Sequence, residues 1–154
     1  MTDEPARVVR ASREIEAPAE RIFELIADPS QQPSWDGNDN LGEAKPGQRV
    51  HAVGDAFITT LKNGKVRENR VIEFEEGRRI AWQPAEPGKE APGHLWRWEL
   101  NPLSATRTEV TQTYDWSALD PDDVRRNTRA RWTTADRLEA SLELLAKATE
   151  RPQP

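Results

Sequence analysis

Apolar and polar residues alternate along several stretches of the chain, which is the pattern of a β-strand with one face on a core. In residues 107–116, for example, Val110 and Tyr114 fall on one face while charged or hydroxyl side chains fall on the other. Asn63-Gly64 is a strong signal for a tight hairpin between two such stretches. The alternation and the turn residues predict strands at residues 7–16, 41–44, 55–62, 65–75, 79–83, 94–101 and 107–116.

A short helix is predicted after the first strand. Pro18 suits the first helical position because proline has no N–H to leave unpaired there. Ile22 and Phe23 belong to its apolar stripe, and Asp28-Pro29 ends it and begins a second short helix.

A long amphipathic helix of about thirty residues is predicted to close the fold. Asp120-Pro121 supplies a capping side chain and a proline at the first position. The pattern leaves Arg131 and Trp132 as alternatives for one inward position. The remaining stripe, at steps of three and four, consists of Val124, Thr128, Ala135, Leu138, Leu142, Leu145 and Thr149.

Composition narrows the function classes. The 154 residues fit one domain, predicted to span 1–154 with frayed ends at 1–5 and 151–154. A net charge of −5 disfavours nucleic acid as a partner, and the arginines in residues 125–137 are interpreted as a solvated helix face. The chain has no cysteine and no apolar run long enough for a membrane span, so we expect a cytoplasmic protein. With only 35% hydrophobic residues, either the core is small or an internal cavity has polar walls.

The order of these elements resembles the helix-grip fold of the SRPBCC superfamily, which includes START lipid-transfer domains. The segments that carry the resemblance are residues 15–23 with Asp28, Pro29 and Trp35, then residues 53–57, 71–82 and 113–116. They are similar to the polyketide cyclase/dehydrase branch found in many bacteria. The resemblance implies an α+β fold in which a curved antiparallel sheet of six to seven strands wraps around the C-terminal helix. It also implies a cavity between the sheet and that helix.

Aromatic residues are the best candidates for lining this cavity, because each offers a large apolar surface and most carry one polar group. Strand parity selects Trp96, Trp98 and Tyr114, and the helical stripe adds Trp132. The resemblance places Trp35 and Phe57 near the entrance. The full predicted set of ligand-binding residues is Trp35, Phe57, Trp82, Trp96, Trp98, Gln112, Tyr114 and Trp132.

Catalytic chemistry has weaker candidates, and no catalytic residue is assigned. His94 shares the face of Trp96 and is either a pocket acid or base or an ordinary strand-end histidine. In residues 65–75, either Glu68 and Arg70 or Asn69 and Val71 face the cavity, and parity does not decide which. The two histidines lack any familiar metal-ligand spacing, so neither a metal nor a cofactor is expected.

Three functions are compatible with these observations. The leading hypothesis is carriage or sensing of a small, partly hydrophobic or aromatic molecule by a monomer or weak homodimer. The second is an enzyme similar to the polyketide cyclases and dehydratases, using polar groups in the pocket. The third is a protein-interaction module of the co-chaperone type, for which we expect a collapsed cavity and an exposed apolar patch.

Overall fold

Seven antiparallel strands form one sheet in the computed structural model, which describes residues 7–36 and 41–150. The predicted frayed ends lie outside these residues. Along the sheet the strands follow the order β1-β7-β6-β5-β4-β3-β2. Their bounds are β1 Val8–Ile15, β2 Leu41–Glu43, β3 Ala56–Leu61, β4 Val66–Glu75, β5 Arg79–Ala85, β6 Leu95–Ser104 and β7 Arg107–Asp115.

Two of the predicted turns show how local sequence sets the strand ends. Gly64 has a positive φ of 85°, and Leu61 donates from its backbone N–H to the Lys65 carbonyl at 2.8 Å, so the predicted hairpin is confirmed. The turn after β6 lies later than the predicted strand end at residue 101, because β6 continues through Pro102 to Ser104. A register shift between Pro102 and Ser104 accommodates this proline, which has no N–H for the ladder.

Two short helical segments follow β1. The first is α1 (Ala19–Ala27). Pro18 occupies the N-cap of this helix, whereas the sequence predicted it at the first helical position. The second is a 3-10 helix (Pro29–Ser34), whose first turn is capped by the Asp28 carboxylate, 3.1 Å from the Ser30 backbone nitrogen. Buried residues of α1, including Phe23, face the core.

The C-terminal helix is interrupted, which corrects the prediction of one continuous helix. It consists of α2 (Val124–Arg131) and α3 (Ala135–Glu150), separated by residues 132–134. An aromatic residue and two threonines occupy this break, and all three are weaker helix formers than alanine or leucine. The buried face of α2 also differs from the predicted apolar stripe. Asn127 is buried, whereas Val124, which belongs to the predicted stripe, is 72% exposed.

The leucines of α3 do form the predicted core stripe. Leu138, Leu142 and Leu145 are buried, and α3 packs against β1, β7 and α1. The side chains of α3 therefore fill the space over one end of the concave face of the sheet. The other end of that face, beside α2, is not filled. Within the part of the chain that the structure describes, no helix has the length and apolar character needed to cross a bilayer.

Candidate ligand-binding cavity

A cavity of about 500 Å³ lies between the concave face of the sheet, the 3-10 helix and the α2–α3 break. Seven of the eight predicted ligand-binding residues line it: Trp35, Trp82, Trp96, Trp98, Gln112, Tyr114 and Trp132. The placement of this cavity follows from the packing of the C-terminal helices, since α3 fills the space at one end and α2 does not fill the other.

Strand register brings three aromatic side chains into one row. Trp82 on β5 is opposite Trp96 on β6, and Trp96 is opposite Tyr114 on β7. The rings of Trp96 and Tyr114 are tilted at 37° with centroids 4.4 Å apart. Side chains opposite one another on adjacent strands contact each other across the sheet, so this row is a continuous apolar wall.

The next row contains Trp98 and Gln112, which are also register partners. Trp98 is fully buried and meets Trp35 edge to face, with ring centroids 5.1 Å apart. The Trp35 indole nitrogen donates to the Leu25 carbonyl at 2.8 Å, which fixes this ring against α1. Trp35 is therefore a buried wall of the cavity, whereas the sequence placed it near the entrance.

Phe57 is the one predicted ligand-binding residue that does not border the cavity. Its ring is buried on β3 and meets Trp82 edge to face, with centroids 5.3 Å apart. Phe57 thus supports the ring of Trp82 from behind. The resemblance placed Phe57 near the entrance, and the structure instead places it behind the lining.

The inward face of β4 carries Asn69. The amide of Asn69 donates to Thr59 Oγ1 at 3.0 Å and to the Phe57 carbonyl at 3.2 Å, and Asn69 and Thr59 both line the cavity. Glu68 and Arg70 do not line it, and they pair with each other at 2.8 Å. Of the two parities that the sequence left open, the structure has Asn69 facing the cavity and the Glu68–Arg70 ion pair outside it.

Four polar groups along the cavity are buried without a hydrogen-bond partner among the described residues. They are Gln32 Nε2, His94 Nδ1, Trp98 Nε1 and Gln112 Oε1. Buried polar groups are rarely left unpaired in folded proteins, because each loses its hydrogen bond to water. Both donors and an acceptor are represented, so the cavity offers hydrogen bonds to a guest that has polar groups of its own.

The two titratable groups of the inner wall are uncharged at neutral pH. Burial lowers the pKa of His94 to about 4, with further lowering by the nearby Arg126, Arg67 and Arg129. Burial raises the pKa of Tyr114 to about 12. The two rings are 6.0 Å apart, and both groups act as neutral hydrogen-bonding partners between pH 6 and pH 8.

The mouth of the cavity is formed partly by the α2–α3 break. Trp132 is 70% exposed and lines the cavity from this break, whereas Arg131 does not line it, so neither residue occupies a buried position of a continuous helix. Arg67, Arg129 and Arg137 also line the cavity, although the sequence indicated a solvated helix face for the last two. Their spacing along the chain carries no signal of a shared site, because Arg67 comes from β4 and the others from two different helices.

No metal centre is formed by the described residues. Nowhere in residues 7–36 and 41–150 do three histidine, cysteine or acidic side chains come together in a way that could hold a metal ion.

The family described as "Polyketide cyclase / dehydrase and lipid transport" matches residues 6–150, so the chain belongs to this family. An uncharacterised protein of Mycobacterium tuberculosis is 34% identical over 118 residues, which cover 74% of this chain. The match covers 49% of that relative, so the chain spans about half the length of the curated relatives it matches.

Solved structures agree on the fold. A START superfamily protein from Mycobacterium smegmatis superimposes with a TM-score of 0.63 at 16% identity, covering 93% of this chain and 97% of that one. The Zhui aromatase/cyclase from Streptomyces sp. R1128 gives a TM-score of 0.64 at 20% identity, covering 94% of this chain and 93% of that one. The domain therefore has the START-like helix-grip fold that the sequence predicted.

Proposed function

We propose that this domain binds a small, partly hydrophobic molecule, such as an aromatic or polyketide metabolite, for carriage or sensing. The observation that carries the proposal is the cavity of about 500 Å³ with an aromatic wall and unpaired polar groups. Pockets for small molecules typically combine a mostly apolar lining with a few polar groups that orient the ligand. Membership of a family whose description includes lipid transport supports the same proposal.

Binding is favoured over proton-transfer chemistry because of the groups that face the cavity. A general acid or base works best when its pKa lies near the working pH. The pKa of His94, at about 4, and that of Tyr114, at about 12, both lie far from neutrality. A co-chaperone-type module is disfavoured for another reason, since the space between the sheet and the helices is open.

The cellular setting is proposed from the sequence. We infer a cytoplasmic protein that acts as a monomer or weak homodimer, because the chain has no cysteine and residues of one chain suffice to line the cavity. Light scattering over a range of concentrations tests the oligomeric state, and fractionation of expressing cells tests the location.

Replacement of Trp96 by alanine is expected to weaken binding of a hydrophobic aromatic probe about tenfold, because a large apolar contact worth over about 1.4 kcal/mol is lost. Trp96 is suitable because it is only half-buried, so the domain should stay folded without it. The probe is N-phenyl-1-naphthylamine, whose fluorescence rises in apolar surroundings, and the measurement is the dissociation constant from a saturation titration.

Ile72→Ala is the matched control, since Ile72 lies on β4 outside the cavity and is 38% exposed. This variant should bind the probe as the parent does. Absence of saturable binding to the parent protein, or equal weakening by both substitutions, would contradict the proposed function.

A further inference from the structure

The lining of the cavity has a charge opposite to that of the whole chain. The chain carries a net charge of −5, yet four cationic side chains line the cavity and only one carboxylate, Asp36, does so among the described residues. The four cations are Lys62, Arg67, Arg129 and Arg137. In an acidic protein, this local excess of positive charge points to the chemistry of the guest.

Several arginines elsewhere in the molecule have carboxylate partners. Arg97 pairs with Glu73 at 2.6 Å, Arg107 pairs with Glu14 at 2.5 Å, and Arg49 pairs with both Glu24 and Glu76. In these pairs the protein itself neutralises the guanidinium charge.

Arg67, Arg129 and Arg137, called the cationic rim from here on, line the cavity without such a partner. None of the three has an ion pair with any carboxylate in residues 7–36 and 41–150. The hydrogen bond that Arg67 makes through its guanidinium goes to the Val66 carbonyl at 3.1 Å. The rim thus has unused donors facing the mouth of the cavity.

Two members of the rim, Arg67 and Arg129, also repel each other. The pKa of Arg67 is lowered first by burial and then by the charge of Arg129, while the charge of Glu86 acts in the opposite direction. Like charges that converge raise the energy of the free protein, and an anion placed between them relieves this repulsion. A guanidinium group is moreover well shaped to hold an anionic oxygen pair.

The inner end of the cavity has a different character. Trp98 Nε1 and Gln32 Nε2 are donors, Gln112 Oε1 is an acceptor, and each belongs to a side chain that is more than nine-tenths buried. The aromatic row of Trp82, Trp96 and Tyr114 lies along the same cavity. The cavity is therefore polar and neutral inside, apolar along its wall and cationic at its mouth.

We propose that the ligand is an amphipathic organic acid whose flat apolar body lies against the aromatic wall and whose anionic group is bound by the cationic rim. This inference rests on the proposed function, since it names the class of molecule that the same cavity takes. An oxygen or hydroxyl substituent on the buried end of the ligand pairs with Trp98, Gln32 or Gln112.

Two probes that differ by one anionic group test this inference. 1-Anilinonaphthalene-8-sulfonate is N-phenyl-1-naphthylamine with an added sulfonate, and both report binding by fluorescence. We expect the anionic probe to bind the parent protein about tenfold more tightly at low salt, the scale of one charge-assisted hydrogen bond. This advantage should shrink as ionic strength rises, because salt screens charges at an exposed mouth.

Arg129→Gln and Arg67→Gln should each remove most of the advantage of the anionic probe and leave the affinity for the neutral probe unchanged. Arg131→Gln is the matched control, because Arg131 is exposed on the same helix as Arg129 and does not line the cavity. Arg129 is exposed, so its replacement should leave the thermal midpoint unchanged, and circular dichroism verifies this.

The possible outcomes separate the two proposals. Tighter binding of the anionic probe that depends on Arg67 and Arg129 supports the inference. Equal affinity for both probes, or an anionic advantage that persists in the Arg67→Gln/Arg129→Gln double variant, overturns the inference and leaves the proposed function standing. If neither probe binds saturably, the proposed function fails as well.

Discussion

Leu145→Ala and Leu142→Ala are each expected to lower the free energy of unfolding by about 2–5 kcal/mol, the range found when a buried leucine is truncated. Both side chains are buried on α3, which packs against β1, β7 and α1. Truncation removes apolar contacts and leaves a hole that the sheet and α1 cannot fully close. Urea denaturation at neutral pH, followed by circular dichroism, measures the change.

Leu103→Ala makes the same chemical change at a side chain that is 46% exposed, and it should lower stability by less than about 0.5 kcal/mol. If the α3 variants were as stable as Leu103→Ala, the assignment of α3 as the structural half of the C-terminal helices would be wrong. The difference in stability between these variants matters for function. It tests whether α3 holds the fold together while the region beside α2 stays open for a ligand.

The second large effect is a loss of stability in acid that depends on His94. Its pKa is about 4 in the folded protein against an ordinary value of 6.5, chiefly because of burial. Between these two values the unfolded chain binds a proton at His94 that the folded chain does not. The contribution of neutral His94 to the free energy of unfolding is therefore fully present above pH 6.5. It falls by up to about 3 kcal/mol as the pH drops toward 4.

His94→Gln removes the titrating group while keeping a polar side chain. We expect the parent protein to lose up to about 3 kcal/mol more than this variant when urea denaturation is repeated at pH 6.5, 5 and 4. Comparison with the variant cancels the carboxylates, which titrate in both proteins. Parallel stability curves for the two proteins would show that His94 is not buried in the uncharged form.

Much of the fold followed from local patterns in the sequence. The hairpin at Asn63-Gly64 depends only on the backbone freedom of two residues, and the leucine stripe of α3 depends only on helical spacing. Clean alternation in β6 and β7 also gave the orientation of Trp96, Trp98 and Tyr114 correctly. These features are encoded within a few residues of one another, so they are readable without the tertiary structure.

Features that depend on a distant partner could not be predicted. In β4, a register shift between Val71 and Glu73 changes which parity faces inward, so Asn69 and Val71 are buried and the next inward side chain is Phe74, which contacts Phe23. A bulge of this kind is invisible to an alternation rule.

The break in the C-terminal helix and the cationic rim were missed for related reasons. Helical spacing assumes a straight helix, and the break at residues 132–134 rotates α2 so that Val124 points outward. The rim joins arginines from β4, α2 and α3, and nothing in a local stretch distinguishes them from ordinary surface charges.

The indole N–H signals in a ¹⁵N-correlated NMR spectrum test the central claim most directly, because five of the six tryptophans line the cavity. Trp116 does not line it and lies under the guanidinium of Arg7, 4.8 Å from the ring, so it serves as an internal control. On titration with N-phenyl-1-naphthylamine, we expect saturable shifts of the Trp96 and Trp98 signals and no shift of the Trp116 signal. Shifts confined to Trp132, or a Trp98 signal that does not move at saturating probe, would contradict binding inside the cavity.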